Sequence, residues 1–264
     1  QAQAFNPWTP APALDEVNRQ TAGVIQTMGL SGVEAAEAGS LSYGGQRLLD
    51  MSLALATRPR VLLLDEPLAG LAAAERERVG LLIKSISRDM PVLLVEHDID
   101  RVFQIADNVT VMNEGQVLVD GDVENARSSA KVQEVYIGSG SHALAGKHRA
   151  SAARPEPTLT LSGVDTFYGK SHILRDVTFE VRRNEIVALL GRNGAGKSTL
   201  LKTVVGVAPP AKGSIILEGE ELAGKPSSLI TRRGISYVPQ GRGLFAGMSV
   251  KENMELGCLK RITG

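Results

Sequence analysis

The stretch 191–199 reads Gly-Arg-Asn-Gly-Ala-Gly-Lys-Ser-Thr, a combination of residue types that suits phosphate binding. An apolar run at 186–190 precedes it and Leu-Leu-Lys-Thr-Val-Val follows it, which predicts the order strand, glycine loop, helix. Glycines let backbone N–H groups approach an anion, and the N-terminus of the following helix adds partial positive charge. We expect Lys197 to reach the β- and γ-phosphates of a nucleotide and Ser198 to give a hydroxyl ligand to Mg²⁺. The alternative is an ordinary glycine turn before a buried helix. The candidate nucleotide-binding residues are Gly191, Asn193, Gly194, Ala195, Gly196, Lys197, Ser198 and Thr199.

Two carboxylates follow an apolar strand in the stretch 60–67, Arg-Val-Leu-Leu-Leu-Asp-Glu-Pro. Such a strand is typical of a parallel sheet covered on both faces, and these sheets bind ligands beyond the carboxyl ends of their strands. At that position Asp65 can hold Mg²⁺, and Glu66 can accept a proton from an attacking water. The alternative is an acidic turn without a catalytic role. The phosphate loop favours the catalytic interpretation because it needs such a partner.

A histidine follows the next predicted strand, 92–95, in the sequence Glu-His-Asp. A lone histidine after a strand is often a loop or capping residue. The position of His97, one strand after Asp65 and Glu66, instead predicts a hydrogen-bond donor close to the γ-phosphate.

The stretch 41–47, Leu-Ser-Tyr-Gly-Gly-Gln-Arg, precedes a predicted helix that runs to residue 57. Ser42 is a candidate N-cap, and Gly44 and Gly45 leave backbone N–H groups accessible at the helix start. The pattern alone is common before helices. Its weight comes from the strand and the two carboxylates that follow it at a fixed distance.

Composition restricts the class of protein. The chain has 264 residues with 29 basic and 29 acidic side chains, so nucleic acid is not an expected partner. Cys258 is the only cysteine, which excludes an intrachain disulfide and fits a reducing compartment. No apolar run approaches the roughly 18–20 residues that span a bilayer. The start has neither a signal peptide nor an initiator Met. We therefore expect a cytoplasmic protein, and an internal piece of a longer one.

Apolar periodicity and turn residues predict the other elements. The predicted helices are 14–30, 72–88, 99–106, 129–136 and 250 to about 259, and the predicted strands are 108–112, 116–119, 159–164, 177–181, 214–217 and 235–240. Phe167 and Tyr168 lie between two of these strands, where an aromatic side chain either stacks on a base or packs in the core. The stretch 138–157 is rich in small residues, has no periodicity and is predicted to be a solvated linker.

Together these motifs resemble those of the ATP-binding subunits of ABC transporters, on both sides of the linker. In that family the 191–198 pattern is the Walker A loop. The 41–46 pattern matches the signature motif, which closes over the γ-phosphate from the opposite subunit. The resemblance implies single roles for five further residues: Tyr168 stacks on adenine, Gln240 senses Mg²⁺ and the attacking water, Asp65 is the Walker B aspartate, Glu66 is the catalytic glutamate and His97 is the switch histidine.

The resemblance implies an α/β fold of the P-loop NTPase class, with a mainly parallel core sheet, an antiparallel β subdomain and a partial helical subdomain. It implies hydrolysis of ATP with Mg²⁺, coupled to inward transport through separate transmembrane permease subunits at the inner face of the cell membrane. A second ATPase domain or a second copy is the implied partner across the nucleotide. The segments 92–98 and 237–246 resemble the subfamily that takes up branched-chain amino acids, or urea and amides.

Two groups of ligands follow from the same resemblance. The implied Mg²⁺ ligands are Ser198, Gln240 and Asp65, and the implied contacts to a nucleotide on the facing domain are Ser42, Gly44 and Gly45. Tyr43 and Gly45 replace the usual Gly and Gln of the signature, and Ala72 replaces the usual Asp after Gly-Leu. These departures bear on communication across an ATP-bound dimer.

The motifs stand in an order opposite to that of one subunit, in which Walker A comes first. We therefore predict a fragment of a tandem fusion. Residues 1–137 are the C-terminal half of one ATPase domain, 138–157 are the linker, and 158–264 are the N-terminal half of the next. Either the halves dock within one chain as a permuted domain, or two chains exchange halves.

Two other functions compete with transport. An ABC ATPase that acts on ribosomes or DNA would carry basic patches or a long charged insertion, and the balanced charge indicates neither. A fragment that binds ATP without hydrolysing it is the second alternative. Both stay open at the level of the sequence.

Overall fold

The computed structural model describes residues 15–130, 132, 155–241 and 243–259. The predicted helix 129–136 and the linker 138–157 lie mostly outside these ranges. In chain order the strands are β1 (Val61–Asp65), β2 (Val92–Val95), β3 (Asn108–Asn113), β4 (Gln116–Asp122), β5 (Pro157–Tyr168), β6 (Ser171–Arg182), β7 (Ile186–Gly191), β8 (Lys212–Leu217), β9 (Glu220–Glu221) and β10 (Ile235–Val238). The helices are α1 (Asp15–Thr27), α2 (Tyr43–Ala56), α3 (Ala73–Ile86), α4 (Ile99–Ile105), α5 (Val123–Ser128), α6 (Lys197–Val204), α7 (Ser227–Arg232) and α8 (Val250–Leu259). None of the helices described here is long and apolar enough to cross a membrane.

The main sheet has six strands within the described ranges, in the order β10-β1-β2-β7-β3-β4. The first five run parallel, and β4 pairs antiparallel with β3. Asp65 is in register with Val95, and Val95 is in register with Leu189. Because parallel strands end at the same edge, the residues that follow β1, β2 and β7 meet there. The sheet confirms the predicted α/β fold with a mainly parallel core.

Strand β1 is buried along its whole length because both faces of the sheet are covered. Leu62 and Leu64 belong to a core with residues of α1, α2, α3 and α8. Leu63 points to the other face, into a core with residues of β5, β6, β8 and α6. This accounts for the apolar sequence of residues 61–64.

The second sheet is antiparallel, with the order β6-β5-β8-β9. It confirms the predicted antiparallel β unit, with two corrections to its limits. Strand β5 begins at Pro157, inside the stretch predicted as linker, and it ends with Phe167 and Tyr168. The two aromatic residues therefore belong to the strand and do not lie between strands.

The segments on the two sides of the linker share the main sheet. β1 to β4 come from the first segment, and β7 and β10 come from the second. Strand β7 lies between β2 and β3, and β10 lies at the edge beside β1. In this structure the segments thus dock within one chain. Their origin in two successive ATPase domains stays a prediction.

Two short helices, α5 and α7, are absent from the sequence-based expectations. Each has six residues, which is less than two turns, so apolar periodicity gives no clear signal. The longer predicted helices agree with the structure within a few residues at each end.

Candidate functional site

The phosphate-binding candidate is a loop between β7 and α6, as the sequence predicts. Gly196 has a φ of +100° at the helix N-cap, and a Cβ there would lie 2.9 Å from the Leu174 side chain. The ammonium of Lys197 donates hydrogen bonds to the carbonyl oxygens of Gly191, at 2.7 Å, and Arg192, at 3.3 Å. Two carbonyl oxygens of the loop thus hold the ammonium end of its own lysine, and the Ala195 N–H donates to the Arg192 carbonyl at 3.0 Å.

A turn of the first segment supports this loop. The N–H of Gly115, between β3 and β4, donates to the carbonyl of Ala195 at 3.1 Å, and the Gly115 carbonyl accepts from Arg175 N at 2.8 Å. A Cβ on Gly115 would lie 1.9 Å from the carbonyl oxygen of Ile173, and its φ is +81°. Only glycine allows this close approach.

The loop forms one wall of a cleft of about 850 Å³ at the carboxyl edge of the main sheet. The cleft brings together predicted residues from both segments. Its lining consists of Glu66, His97, Ile173, Gly191, Arg192, Asn193, Gly194, Gly196, Lys197, Ser198, Thr199 and Gln240. Carboxylate, imidazole and amide groups therefore face the candidate phosphate loop across one cavity.

Asp65 lies next to Ser198, outside the cleft lining, and is 2% exposed. The hydroxyl of Ser198 donates to its Oδ1 at 3.2 Å, and the phenol of Tyr237 donates to its Oδ2 at 3.1 Å. Burial and the neighbouring Asp65 carboxylate raise the pKa of Tyr237 well above its usual range, so the phenol remains a donor. Ser198 and Asp65, predicted as metal ligands, are in direct contact.

Glu66 faces the cleft with a positive φ of +49°. The amide nitrogen of Gln240 donates to Glu66 Oε2 at 2.7 Å, and His97 Nδ1 lies 3.8 Å from Glu66 Oε1. The three residues predicted as catalytic thus meet at one carboxylate. Such a carboxylate can accept a proton from a water held between these polar groups.

Lys197 is a buried cation in the cleft lining. Burial lowers its pKa, while the carboxylates of Glu66, Asp65 and Glu96 act in the opposite direction. A phosphate in the cleft would add negative charge beside this buried ammonium group. That charge would favour the protonated lysine and strengthen its attraction to the anion.

Glu96 is a site residue that the sequence analysis did not single out. Its side chain is 1% exposed and accepts hydrogen bonds from the backbone N–H groups of Leu68, at 2.9 Å, and His97, at 3.4 Å. Burial raises the pKa of this carboxyl above its usual range. The signal in the sequence was a carboxylate directly between a buried strand and the candidate histidine.

The signature candidates lie outside the cleft lining. Ser42 caps α2, as predicted, and its hydroxyl accepts from Gly45 N at 3.1 Å. Gly44 lies against Glu75, whose Oε1 would be 2.3 Å from an added Cβ. Tyr43 is 44% exposed, whereas Gly44 is buried and the Gly45 N–H is taken up by Ser42. The expectation that both glycines leave accessible backbone N–H groups is therefore wrong in this structure.

Tyr168 also lies outside the cleft lining and is 48% exposed at the end of β5. The neighbouring Phe167 stacks on the imidazole of His172, with 4.2 Å between the ring centroids. Ile173, on β6, lines the cleft instead. Sequence reasoning missed Ile173 because an apolar residue in a strand gives no sign of facing a ligand.

Comparisons with known proteins identify the family of the chain. The family described as ABC transporter matches residues 1–69 and 174–263. The high-affinity branched-chain amino acid transport ATP-binding protein BraG of Pseudomonas aeruginosa is 52% identical over 99 residues, which are 38% of this chain and 42% of that protein. A putative ribose/galactose/methyl galactoside import ATP-binding protein of Albidiferax ferrireducens is 30% identical over 254 residues, which are 94% of this chain and 49% of that protein.

The chain spans about half, or less, of the length of these curated relatives. One solved structure, the ADP conformation of an ATP-binding cassette of an ABC transporter, is 29% identical and superimposes with a TM-score of 0.45 over 50% of this chain and 54% of that one. The family match covers more than half of the chain and includes the 191–199 loop, Asp65 and Glu66. The chain belongs to the ABC transporter family.

Proposed function

We propose that this chain binds ATP with Mg²⁺ in the cleft and hydrolyses it, as part of the ATP-binding subunit of an import system. One observation carries the proposal. The carboxylates of Asp65 and Glu66 are hydrogen-bonded to Ser198 and Gln240, which belong to the other segment. An acidic turn without a catalytic role would not account for both contacts at the edge of a phosphate loop.

Each group has a chemical role in the proposed reaction. Lys197 and the loop N–H groups bind the phosphates and neutralise the charge that develops on them. Glu66 accepts a proton from the attacking water, and Gln240 and His97 orient that water from either side of the carboxylate. The remaining proposed phosphate contacts are Gly191, Asn193, Gly194, Ala195, Gly196, Ser198 and Thr199.

Two proposed contacts involve other parts of the nucleotide or another domain. Tyr168 stacks on the adenine from its exposed position beside the cleft. Ser42, Gly44 and Gly45 act on the nucleotide of a facing ATPase domain, either a second domain of the full-length protein or a second copy. They lie outside the lining of this cleft, at the start of α2, where Ser42 is exposed and Gly44 is buried.

The residues at the cleft fit Mg²⁺. Asp65, Ser198 and Gln240 offer carboxylate, hydroxyl and amide oxygen atoms. The described part of the chain holds no cluster of three or more His, Cys, Asp or Glu side chains that would suit a tighter all-protein site. Mg²⁺ prefers such a setting, with few protein oxygens and the rest of its shell from phosphates and water. When bound, it would neutralise charge on the phosphate oxygens.

The transported solute is proposed from the relatives and from two segments. BraG is named for branched-chain amino acids, and the segments 92–98 and 237–246 resemble that subfamily. We assign branched-chain amino acids or related small solutes, with permease subunits as partners and a location at the inner face of the membrane. Membrane vesicles with the complete system should take up labelled leucine in preference to labelled ribose. The opposite preference would assign the chain to the sugar importers.

The length of the relatives supports a tandem origin for the two segments. An alignment that spans 94% of this chain but 49% of the relative is what a middle piece of a two-domain protein produces. The proposed units stay 1–137, 138–157 and 158–264. Sequencing the reading frame on both sides tests this.

The experiment for ATP hydrolysis compares the parent with two variants by calorimetric ATP titration and by Mg²⁺-dependent phosphate release. Glu66→Gln should keep ATP affinity within about threefold and lose at least about 100-fold in kcat, because the base is removed and the phosphate contacts remain. Lys197→Ala should lose about 10- to 100-fold in ATP affinity, because a charged phosphate ligand is removed.

Exposed residues supply the matched controls, Glu77→Gln on α3 and Lys202→Ala on α6. Both variants should have the ATP affinity and the rate of phosphate release of the parent. Equal turnover of Glu66→Gln and the parent would contradict the role of Glu66, and unchanged ATP affinity of Lys197→Ala would contradict the loop assignment. A parent that binds ATP without releasing phosphate would identify a binding module.

A further inference from the structure

Arg47, in the first turns of α2, is a charged residue buried at 4% exposure beside the cleft. All five of its N–H groups donate to backbone carbonyl oxygens. The bonds run from Nε to Pro67 at 3.3 Å, from Nη1 to Pro239 at 3.2 Å and Gly241 at 2.9 Å, and from Nη2 to Asp65 at 2.9 Å and Glu66 at 2.7 Å.

No other natural side chain can make this set of bonds. A guanidinium has five donors in a rigid plane, whereas lysine has three donors on a flexible stem. The five acceptors are neutral carbonyl groups, so the planar guanidinium binds the backbone at five positions and not the carboxylate of one side chain. A buried cation without a paired carboxylate in these contacts is costly, which argues for a specific role.

The acceptors belong to the two segments that carry the proposed catalytic side chains. Asp65 ends β1 and Glu66 and Pro67 follow it, and Pro239 and Gly241 flank Gln240 after β10. One turn further along α2, the Asp50 carboxylate accepts from Gly243 N at 3.0 Å. Helix α2 therefore contacts the chain after β10 at Pro239, Gly241 and Gly243.

Glu66 has a backbone conformation that needs such support. Its φ of +49° is uncommon for a residue with a side chain and costs energy. Arg47 binds the carbonyl of this residue and those of its two neighbours. The Glu66 carboxylate meets Gln240 at 2.7 Å in the cleft above them.

We propose that Arg47 is a positioning residue for ATP hydrolysis, which sets the distance between the side chains of Glu66 and Gln240 by holding both backbones on one guanidinium. Its donors bind backbone carbonyl oxygens, so it acts through these two residues. The inference rests on the proposed function, since it assigns Arg47 to the placement of that base. If Arg47 contributed to stability alone, substituting it would lower the unfolding temperature without a selective loss of kcat.

The test measures the KM for ATP, kcat and thermal unfolding for Arg47→Lys and Arg47→Met. Arg47→Lys should lower kcat about 10- to 100-fold with KM within about threefold, because a misplaced base slows chemistry more than it weakens phosphate binding. Arg47→Met should lower kcat further than Arg47→Lys does, so that lysine at this position partly restores kcat. If a variant unfolds near the assay temperature, rates are compared at a lower temperature at which circular dichroism shows both proteins folded.

Leu49→Ala is the matched control, because Leu49 is fully buried on the same helix and belongs to a hydrophobic core. It should lower the unfolding temperature and leave kcat within about twofold. Gln240→Ala combined with Arg47→Lys should lose less than the product of the single losses, because both changes disturb the same contact.

The outcomes separate the two proposals. A parent without ATP turnover contradicts the proposed function and, with it, the role of Arg47. A parent that turns over ATP while Arg47→Lys keeps its kcat overturns the role of Arg47 alone. An equal loss of kcat in Leu49→Ala, or fully multiplicative losses with Gln240→Ala, would also overturn it.

Discussion

The side chains of the cleft work in pairs whose members are far apart in the sequence. Asp65 contacts Ser198, and Glu66 contacts Gln240. Each member was recognisable from its motif, because strand, turn and residue type occur together at fixed spacing. The pairing itself depends on parallel strands that end at one edge of the sheet.

Other residues of the site carry no motif that sequence reasoning could use. Glu96 and Arg47 owe their roles to burial and to backbone partners, which a sequence does not display. Ile173 lines the cleft because β6 passes beside the loop. Long-range contacts with backbone atoms leave no pattern in residue types, so Arg47 and Ile173 could be found only in the structure, and for Glu96 the sequence offered only its position before His97.

Glu96 leads to a prediction about pH. Because burial raises its pKa in the folded state, the folded protein holds this proton more tightly than the unfolded chain does. The contribution of Glu96 to the free energy of unfolding is therefore fully present below the ordinary glutamate pKa of 4.5. It is lost as the pH rises through the higher pKa of the folded state. Glu96→Gln keeps an acceptor oxygen but does not titrate. Its unfolding temperature should rise relative to the parent as pH increases from 4.5 toward neutrality.

Thermal unfolding at a series of pH values measures this difference. Glu77→Gln, at an exposed position of α3, is the control and should follow the parent at every pH. Parallel curves for Glu96→Gln and the parent would show that the buried carboxyl has no linkage to folding.

At the scale of elements, strand β1 illustrates what apolar pattern predicts well. A run of apolar residues without alternation indicates a strand covered on both sides. Leu62 and Leu63 do enter different hydrophobic cores. The short helices α5 and α7 were missed, since six residues give too few turns for a periodic signal.

The two-sided burial of β1 predicts the effect of truncating its side chains. Leu63→Ala should lower the free energy of unfolding by about 2–5 kcal/mol, because it opens a cavity between the two sheets. Leu62→Ala should have an effect of the same order on the opposite face. Urea unfolding monitored by circular dichroism gives these values.

Leu81, which is 65% exposed on α3, supplies the comparison. Leu81→Ala should change the free energy of unfolding by no more than about 0.5 kcal/mol. An equally small effect of Leu63→Ala would contradict burial of β1 between two cores.

At the scale of the whole molecule, the order of the strands determines how the chain is held together. β7 of the second segment lies between β2 and β3 of the first, and β10 pairs with β1. Removing either segment would expose strands that are fully buried. The segments therefore depend on each other for a complete core.

This arrangement predicts the solution state. Without nucleotide, the chain should elute as a monomer of 28.0 kDa in size-exclusion chromatography with multi-angle scattering, because its segments complete one sheet. Segments 1–137 and 158–264 produced separately should fold poorly and recover structure when mixed. A folded species of twice the mass without nucleotide would favour exchange of halves between two chains.

The sequence by itself determined which residues could do chemistry: the loop 191–199, Asp65, Glu66, His97 and Gln240 stand out because each combines a residue type with a local element. It also indicated the α/β class, since apolar runs and periodicity are local properties. Only the tertiary structure decided that the carboxylates of the first segment meet the loop of the second, that Tyr168 lies outside the cleft lining, and that Arg47 joins both segments. Those facts depend on strand order and on backbone contacts between residues that are far apart in the sequence. Arg47 and Pro239, for example, are separated by 192 positions.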